Sequence, residues 1–425
     1  MTTPQADIGT CLIAFIPPRS LIFILYLAFV AFEIMSKVTQ LLDILDTIKP
    51  EELKSNDHDR LRLVDTTKKL LNQVQTNEER LYDITFSQPI VFAALQTLTD
   101  LGLWQQWGEI HGASKSVDEL CDLCTPKCDG NLLRRLLRLL ASVHIIAETG
   151  QDQYEFAQLP LGDMWTWIQC RTHHWSPSCT NLPSFLAKNG YKEPQDTKNT
   201  NYTDWCPGDL DFFGKCVADP AYQDSFSGFM RGWGSYKVPW PEFYDTNSLI
   251  DGADLSNGGA LCVDIGGHHG IDLTRLLDKH PDIPAGSLIL QDLPEVLIGV
   301  EGLNKKIKAM PHDMFQLQPV KGSRAYYFHA VFHDWPDSVA TKMLKNVAAV
   351  MRKGYSKLLI VDIVLPPTGA SAIQSTMDVE MMAILSAHER TEDMFTKLIN
   401  DAGLRIVKIW KDGRGNECLV ETELA

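Results

Sequence analysis

Apolar and polar positions recur along this chain with two periods, and the change between them divides it. From Met35 to about Gln106 the apolar residues fall at helical spacing, leaving Lys54, Asp59, Arg60, Lys68 and Lys69 for outer faces. Leu81 to Leu103 is apolar enough to suit a subunit interface as well as a core. Ser116-Val117-Asp118-Glu119 is a capping box, a serine and a glutamate placed to satisfy two free amides at a helix start. Gly130 to Leu140 predicts a second helix, and Ile145 to Phe156 reads as two short strands around Gly150. Two helices and a small β-wing form a winged-helix pattern.

Residues 160 to 250 carry Trp165, Trp167, Trp175, Trp205, Trp233 and Trp240, with Phe212 and Phe213. Most belong in a core, yet a flat aromatic ligand needs a pocket of this make-up. Pro183 to Pro207 is polar and turn-rich and predicts a long loop. From Leu261 onward the period alternates. Strands are predicted at Leu261–Ile265, Ser287–Gln291, Lys306–Met310, Arg324–Phe328 and Lys357–Val364, with helical stretches between them. Arg405–Trp410 and Cys418–Thr422 form a closing antiparallel hairpin around Asp412-Gly413. The pattern is α/β, a Rossmann-like doubly wound sheet with helices on both faces.

Composition narrows the function. With 425 residues, 44% apolar and 22% charged, the chain is an ordinary globular protein of two or three domains. A net charge of −15 argues against a nucleic-acid partner. Arg134, Arg135 and Arg138 on the second predicted helix suggest DNA binding, but no wider basic patch supports them. A packing or dimerisation module with solvated arginines is the simpler reading. Ten cysteines without a framework suit a reducing compartment, so a cytoplasmic location is expected. Cys121, Cys124 and Cys128 lack the second ligand pair of a zinc site. Leu21 to Phe32 is an apolar run of twelve residues. That is short of the ~20 a bilayer needs. Membrane contact through residues 11–34 is therefore not favoured, and an extension upstream of Met35 is the simpler reading.

The candidate chemistry begins at Leu261–Gly270, Leu-Cys-Val-Asp-Ile-Gly-Gly-His-His-Gly. Strand, glycine turn and helix let a cofactor approach the backbone closely. Dinucleotide binding wants G-x-G-x-x-G, and neither register of Gly266, Gly267 and Gly270 provides it, because His268 or His269 takes the second glycine position. Asp264 before the turn suits a ligand with an ammonium and no phosphate. Asp292 lies at the next strand end, where a carboxylate can accept ribose hydroxyls, and Asp313 at the third, beside an adenine's place. Each alone reads as a cap or loop residue. Together, at successive strand ends, they point to one ligand.

These motifs, with Leu290-Gln291-Asp292-Leu293-Pro294-Glu295-Val296, His312-Asp313-Met314-Phe315 and His333-Asp334-Trp335, resemble the class I S-adenosylmethionine-dependent O-methyltransferases. The likeness is to the plant caffeate/flavonoid type and, more closely, to its fungal secondary-metabolite branch, from Met35 to the C-terminus. The resemblance implies Gly266 and Gly267 against the cofactor's methionine part, Asp292 at the ribose, and Asp313 with Met314 at the adenine. It implies His333 as general base flanked by Asp362 and Glu389, and a winged-helix module that dimerises the protein and helps wall the substrate pocket. The family's third glycine is His268 here, its lysine is His329, which is expected among the cofactor-binding residues, and its glutamate is Asp362. An imidazole at 329 donates a hydrogen bond but brings no permanent charge, and Asp362 reaches one methylene less.

The expected domains are 1–34, an extension; 35–160, helical and winged-helix-like; 161–250, a helical linker and substrate-pocket region; and 251–425, the cofactor-binding domain. The expected activity is methyl transfer to a phenolic hydroxyl of an aromatic secondary metabolite, a fungal polyketide, by a homodimer without a metal. The alternative is a catalytically silent protein that kept the fold.

Overall fold

The computed structural model describes residues 37–49, 53, 56–156 and 164–425. Leu21–Phe32 and the domain boundary expected near residue 160 lie outside them. The chain divides into two units, up to Val74 and Gln75–Ala425. In the first, the helix Asp57–Val74 buries none of its residues. Among the described residues, no helix is long and apolar enough to cross a membrane.

The second unit opens with helices Asn77–Tyr82, Gln88–Asp100 and Leu103–Glu109. Leu98, Leu103 and Trp107 bury against Leu133, Leu137 and Leu140 of the helix Gly130–Ser142. The Ser116–Glu119 box forms as expected and opens Val117–Leu123. Three strands, β1 (Lys115–Ser116), β2 (Ile146–Gly150) and β3 (Gln153–Phe156), make a small antiparallel sheet with β3 in the middle. Arg134 pairs with Asp152 at 2.7 Å, within the module.

The loop expected over Pro183–Pro207 is shorter, running over 189–200 between two helices. Pro183 lies inside the helix Ser176–Lys188, and Thr200 caps another helix, Asn201–Trp205. One polar residue of the stretch is buried and bonded: Asn201 donates to the carbonyls of Ser178 at 2.9 Å and Ala383 at 2.7 Å. Buried amides with partners read like loop residues in a sequence.

The large sheet contains β4 (Cys262–Ile265), β5 (Leu288–Asp292), β6 (Ile307–Pro311), β7 (Ala325–His329) and β8 (Lys357–Asp362). Val364–Leu365 (β9) and Arg390–Thr391 (β10) form a separate parallel pair, so the fifth predicted strand stops before Val364. Leu404–Lys411 (β11) and Cys418–Leu424 (β12) complete the large sheet in the order β11-β12-β8-β7-β4-β5-β6. β4 to β8 are parallel; β12 and β11 run antiparallel to their neighbours. Both faces are covered, as the continuous apolar strands require. Val263, Tyr326, Phe328 and Ile360 pack on Leu344, Phe395 and Leu398. Cys262, Leu290, Tyr327 and Leu359 pack on Leu273, Leu276, Leu277 and Trp240. Every expected site residue then falls at or near the carboxyl ends of these strands, where such sheets bind ligands, except Glu389, which immediately precedes β10.

Candidate active site

The glycine turn after β4 is built for close approach. Gly266 has φ +75° and Gly270 φ +71°, and the Gly266 and Gly267 amides both donate to the Gln291 carbonyl, at 2.8 and 3.1 Å. A Cβ on Gly267 would stand 2.5 Å from the Asp264 carboxyl and from Leu290. His268, in the place of a third glycine, takes the left-handed backbone itself, at φ +49°. Its amide donates to Asp292 Oδ2 at 2.9 Å, which holds that uncommon conformation. Burial pushes its imidazole down to about 4, so the ring stands neutral beside His269.

Asp264 is buried, and its Oδ2 has no hydrogen-bond partner. Burial, and then the charge of Asp272, push its carboxyl well above the usual carboxylate range. An ammonium on a ligand would supply both the donor and the charge. Asp292 accepts the His268 and Leu293 amides through different oxygens, leaving lone pairs for further donors. Asp313 holds the loop after β6 by accepting the Phe315 amide at 2.9 Å. Met314 packs on the core beside it. The unmet acid, the side-chain-free turn and the two further acids fit a nucleoside that carries an amino acid.

His329 ends β7 in a buried cluster. Its Nδ1 lies 2.6 Å from Asp272 Oδ2, and its Nε2 lies 3.3 Å from Glu417. Burial and Lys237 lower its pKa, but Asp272 and Glu417 outweigh them and raise it to about 9. The two acids thus favour a charge on the ring, while Lys237 Nζ also lies 3.0 Å from its Nε2. Both nitrogens are taken up within the protein, so the structure gives His329 to this cluster. Lys237, which the sequence did not single out, pairs with the same Glu417 at 2.6 Å.

His333 sits in the short turn Phe332–Asp334 after β7. Its Nδ1 is 2.7 Å from Glu389 Oε1, and Asp334 lies 3.5 Å from its Nε2. Burial lowers the imidazole pKa, but Glu389, Asp334 and Asp362 outweigh it and raise it to about 10. Asp362 departs from expectation: neither of its oxygens has a partner, so it acts on His333 through space alone. Burial raises its carboxyl to about 7.

Arg390 is the residue that sequence reasoning missed. Fully buried, it donates to the carbonyls of Phe332 at 2.6 Å and Trp335 at 2.7 Å, and pairs with Asp337. Those carbonyls bracket His333, so Arg390 fixes the turn that presents the ring. His333, Asp362 and Lys237 face one cleft, walled by Trp233, Tyr236 and Met377. A second cavity of about 230 Å³ lies among Trp167, Trp175, Phe229 and Glu380.

Comparison with known proteins shows the family. Residues 244–405 match the O-methyltransferase domain family. The chain is 43% identical over 394 residues to O-methyltransferase ATR12 of Stachybotrys chlorohalonatus, covering 92% of this chain and 99% of that one. It is 32% identical to O-methyltransferase mfmE of Annulohypoxylon moriforme, covering 87% and 92%. Among solved structures it resembles LepI in complex with SAM, at 26% identity and TM-score 0.80 over 93% of this chain and all of that one. OxaC in complex with SAH and oxaline shares the fold, at 24% identity and TM-score 0.76, covering 94% of this chain and 100% of OxaC. The chain therefore belongs to the class I O-methyltransferases and is a methyltransferase of their fungal secondary-metabolite branch.

Proposed function

We propose that this methyltransferase transfers a methyl group from S-adenosylmethionine to a hydroxyl of a small aromatic acceptor, a fungal polyketide, with His333 as general base. The observation that carries the reading is the His333–Glu389 contact at 2.7 Å, facing an aromatic-walled cleft. Asp264 with Gly266 and Gly267 would hold the cofactor's amino-acid end, Asp292 its ribose, and Asp313 and Met314 its adenine. The cofactor supplies an electrophilic methyl on a sulfonium. Glu389 accepts the Nδ1 proton of His333 and fixes the tautomer, leaving Nε2 to take the acceptor's hydroxyl proton. The aromatic walls hold the ring so that its oxygen lies in line for attack, the source of most of the acceleration.

A ligand-free site holds His333 as an imidazolium. A bound cation disfavours that proton, so the base becomes available once the cofactor is seated. The module over 35–160 serves as the dimer contact in this reading; Leu81, Tyr82, Ile84, Phe86 and Ile90 are exposed there. Each described cysteine is a free thiol, which suits a cytoplasmic enzyme.

The test is incubation with methyl-labelled cofactor and a panel of phenolic polyketides, read by mass spectrometry. Labelled methyl ethers are expected. Cofactor binding without transfer to any hydroxyl would favour the catalytically silent alternative.

A further inference from the structure

The second cavity, of about 230 Å³, shares no lining residue with the cleft of His333. Trp167, Trp175 and Phe229 give it a continuous aromatic wall, with ring centroids 5.1 Å apart for Trp167 and Phe229 and 5.5 Å for Trp175 and Phe229. The sequence makes room for that wall. A Cβ on Gly232, in the helix Pro220–Tyr236, would stand 2.3 Å from Nε1 of Trp167, so the missing side chain lets the indole lie against the helix. Phe92 lines the cavity from the helix Gln88–Asp100, which a bond from Thr172 to Gln96 ties to the turn that carries Arg171.

Glu380 brings a carboxyl into this lining from the helix Ala372–Leu385. It accepts a hydrogen bond from Trp175, while Arg171 acts on it through space, its guanidinium lying 4.9 Å from the centre of the Phe92 ring. Burial outweighs both and raises the carboxyl above its ordinary value. A carboxyl set among aromatic faces matches an organic ammonium. The acid meets the N–H groups and the charge, and the ring faces meet the cation and the carbons beside it.

We infer that this cavity is a binding site for a protonated organic amine, with its ammonium on Glu380 and its carbon skeleton among Trp167, Trp175 and Phe229. The space equals about eight waters at roughly 30 Å³ each, which suits one ring with a short side arm. Arg171 repels two positive charges more than one, so a single ammonium is preferred. Two sources supply that chemistry. Trp167 and Phe229 both pack on Trp233, at 5.9 and 6.3 Å, and Trp233 walls the cleft of His333. The amine is therefore either an arm of the acceptor or a separate molecule one tryptophan away from it.

The experiment titrates the full chain with phenethylamine and with 2-phenylethanol, which differ only in an ammonium against a hydroxyl. The amine is expected to bind at about 1 mM and about 10-fold tighter than the alcohol. Isosteric Glu380→Gln keeps an acceptor for Trp175 and is expected to bring the two within about 2-fold. Phe229→Leu is expected to weaken the amine by about 3-fold through the lost ring face. Binding is read without turnover, so its outcome is independent of the methyl-transfer reading. Labelled methyl transfer then separates the sources. Phenolic amines with side arms of increasing length that outrun their neutral analogues, an advantage lost in Glu380→Gln, identify the acceptor's arm; amine binding without that advantage identifies a separate ligand. Equal binding of amine and alcohol, no binding of either at about 10 mM, or an unchanged preference in Glu380→Gln would overturn the assignment and leave Glu380 to hold Trp175 in place.

Discussion

Glu389 Oε1 stands 2.7 Å from Nδ1 of His333, although 56 positions separate the two residues in sequence. The β9–β10 pair makes this possible, because Arg390 lies in register with Val364 just beyond the end of β8. Acid and base are thus delivered to one point from two strand ends.

The first prediction concerns that pair. His333→Ala is expected to lower kcat by about 10²–10⁴ and Glu389→Gln by about 10–10³, with S-adenosylhomocysteine affinity nearly unchanged. Glu389 is also the strongest influence raising the imidazole. Its loss should therefore move the acidic limb of the rate profile to lower pH while the plateau falls. A plateau held within about 2-fold would remove His333 from the base role.

Cofactor affinity should rise with pH. In the free protein the His333 imidazole is raised to about 10, and burial with Asp272 pushes the Asp264 carboxyl well above its ordinary value. A bound sulfonium opposes the proton on His333, so it is released on binding, and a bound ammonium favours the carboxylate form of Asp264. Binding that releases protons strengthens as pH rises through the free-state values. Calorimetry in buffers of different ionisation heat should report net release near pH 8; uptake would contradict it.

Asp362 should make ligand-free stability depend on pH. Its folded carboxyl is raised to about 7 from an ordinary 3.8, so its contribution is intact below the unfolded value and is lost as pH rises through about 7. Asp362→Asn is expected to leave Tm unchanged at about pH 4 and to raise it by roughly 2–5 °C at about pH 8. Thermal unfolding at both values checks this. An equal shift at both would show that ionisation is not the cause.

Arg390→Met removes three bonds from a buried guanidinium and leaves Asp337 and the two carbonyls without it. A loss of about 2–4 kcal/mol in stability is expected, with a larger fall in kcat than in cofactor affinity. Denaturant unfolding and steady-state kinetics on the same preparation measure both. Unchanged kcat in a destabilised variant would confine Arg390 to folding.

Much of this was legible in the sequence because the strands are short, apolar and bounded by turn residues. Asp264, Asp292 and Asp313 could be placed at successive strand ends from local pattern alone. His333 and Glu389 carried meaning through resemblance, since no local period joins residues so far apart. Arg390 gave no signal: a buried arginine looks like a surface one until its carbonyl partners are known. Pro183 and Asn201 are loop formers by type, yet one lies inside a helix and the other is a core residue by context. Asp362 was placed inside a strand read as running to Val364, and that both its oxygens lack partners is visible only in three dimensions.

The cluster around His329 has a consequence for descent. Three basic side chains, His329, Lys237 and Arg275, face two acids, Asp272 and Glu417, away from solvent. Exchanging one member alone alters a buried charge balance. The positions of His329 and Lys237 should therefore change together. Relatives with a lysine at the place of His329 are expected to carry no cation at that of Lys237, and single exchanges between the two types should fold poorly until the second is made.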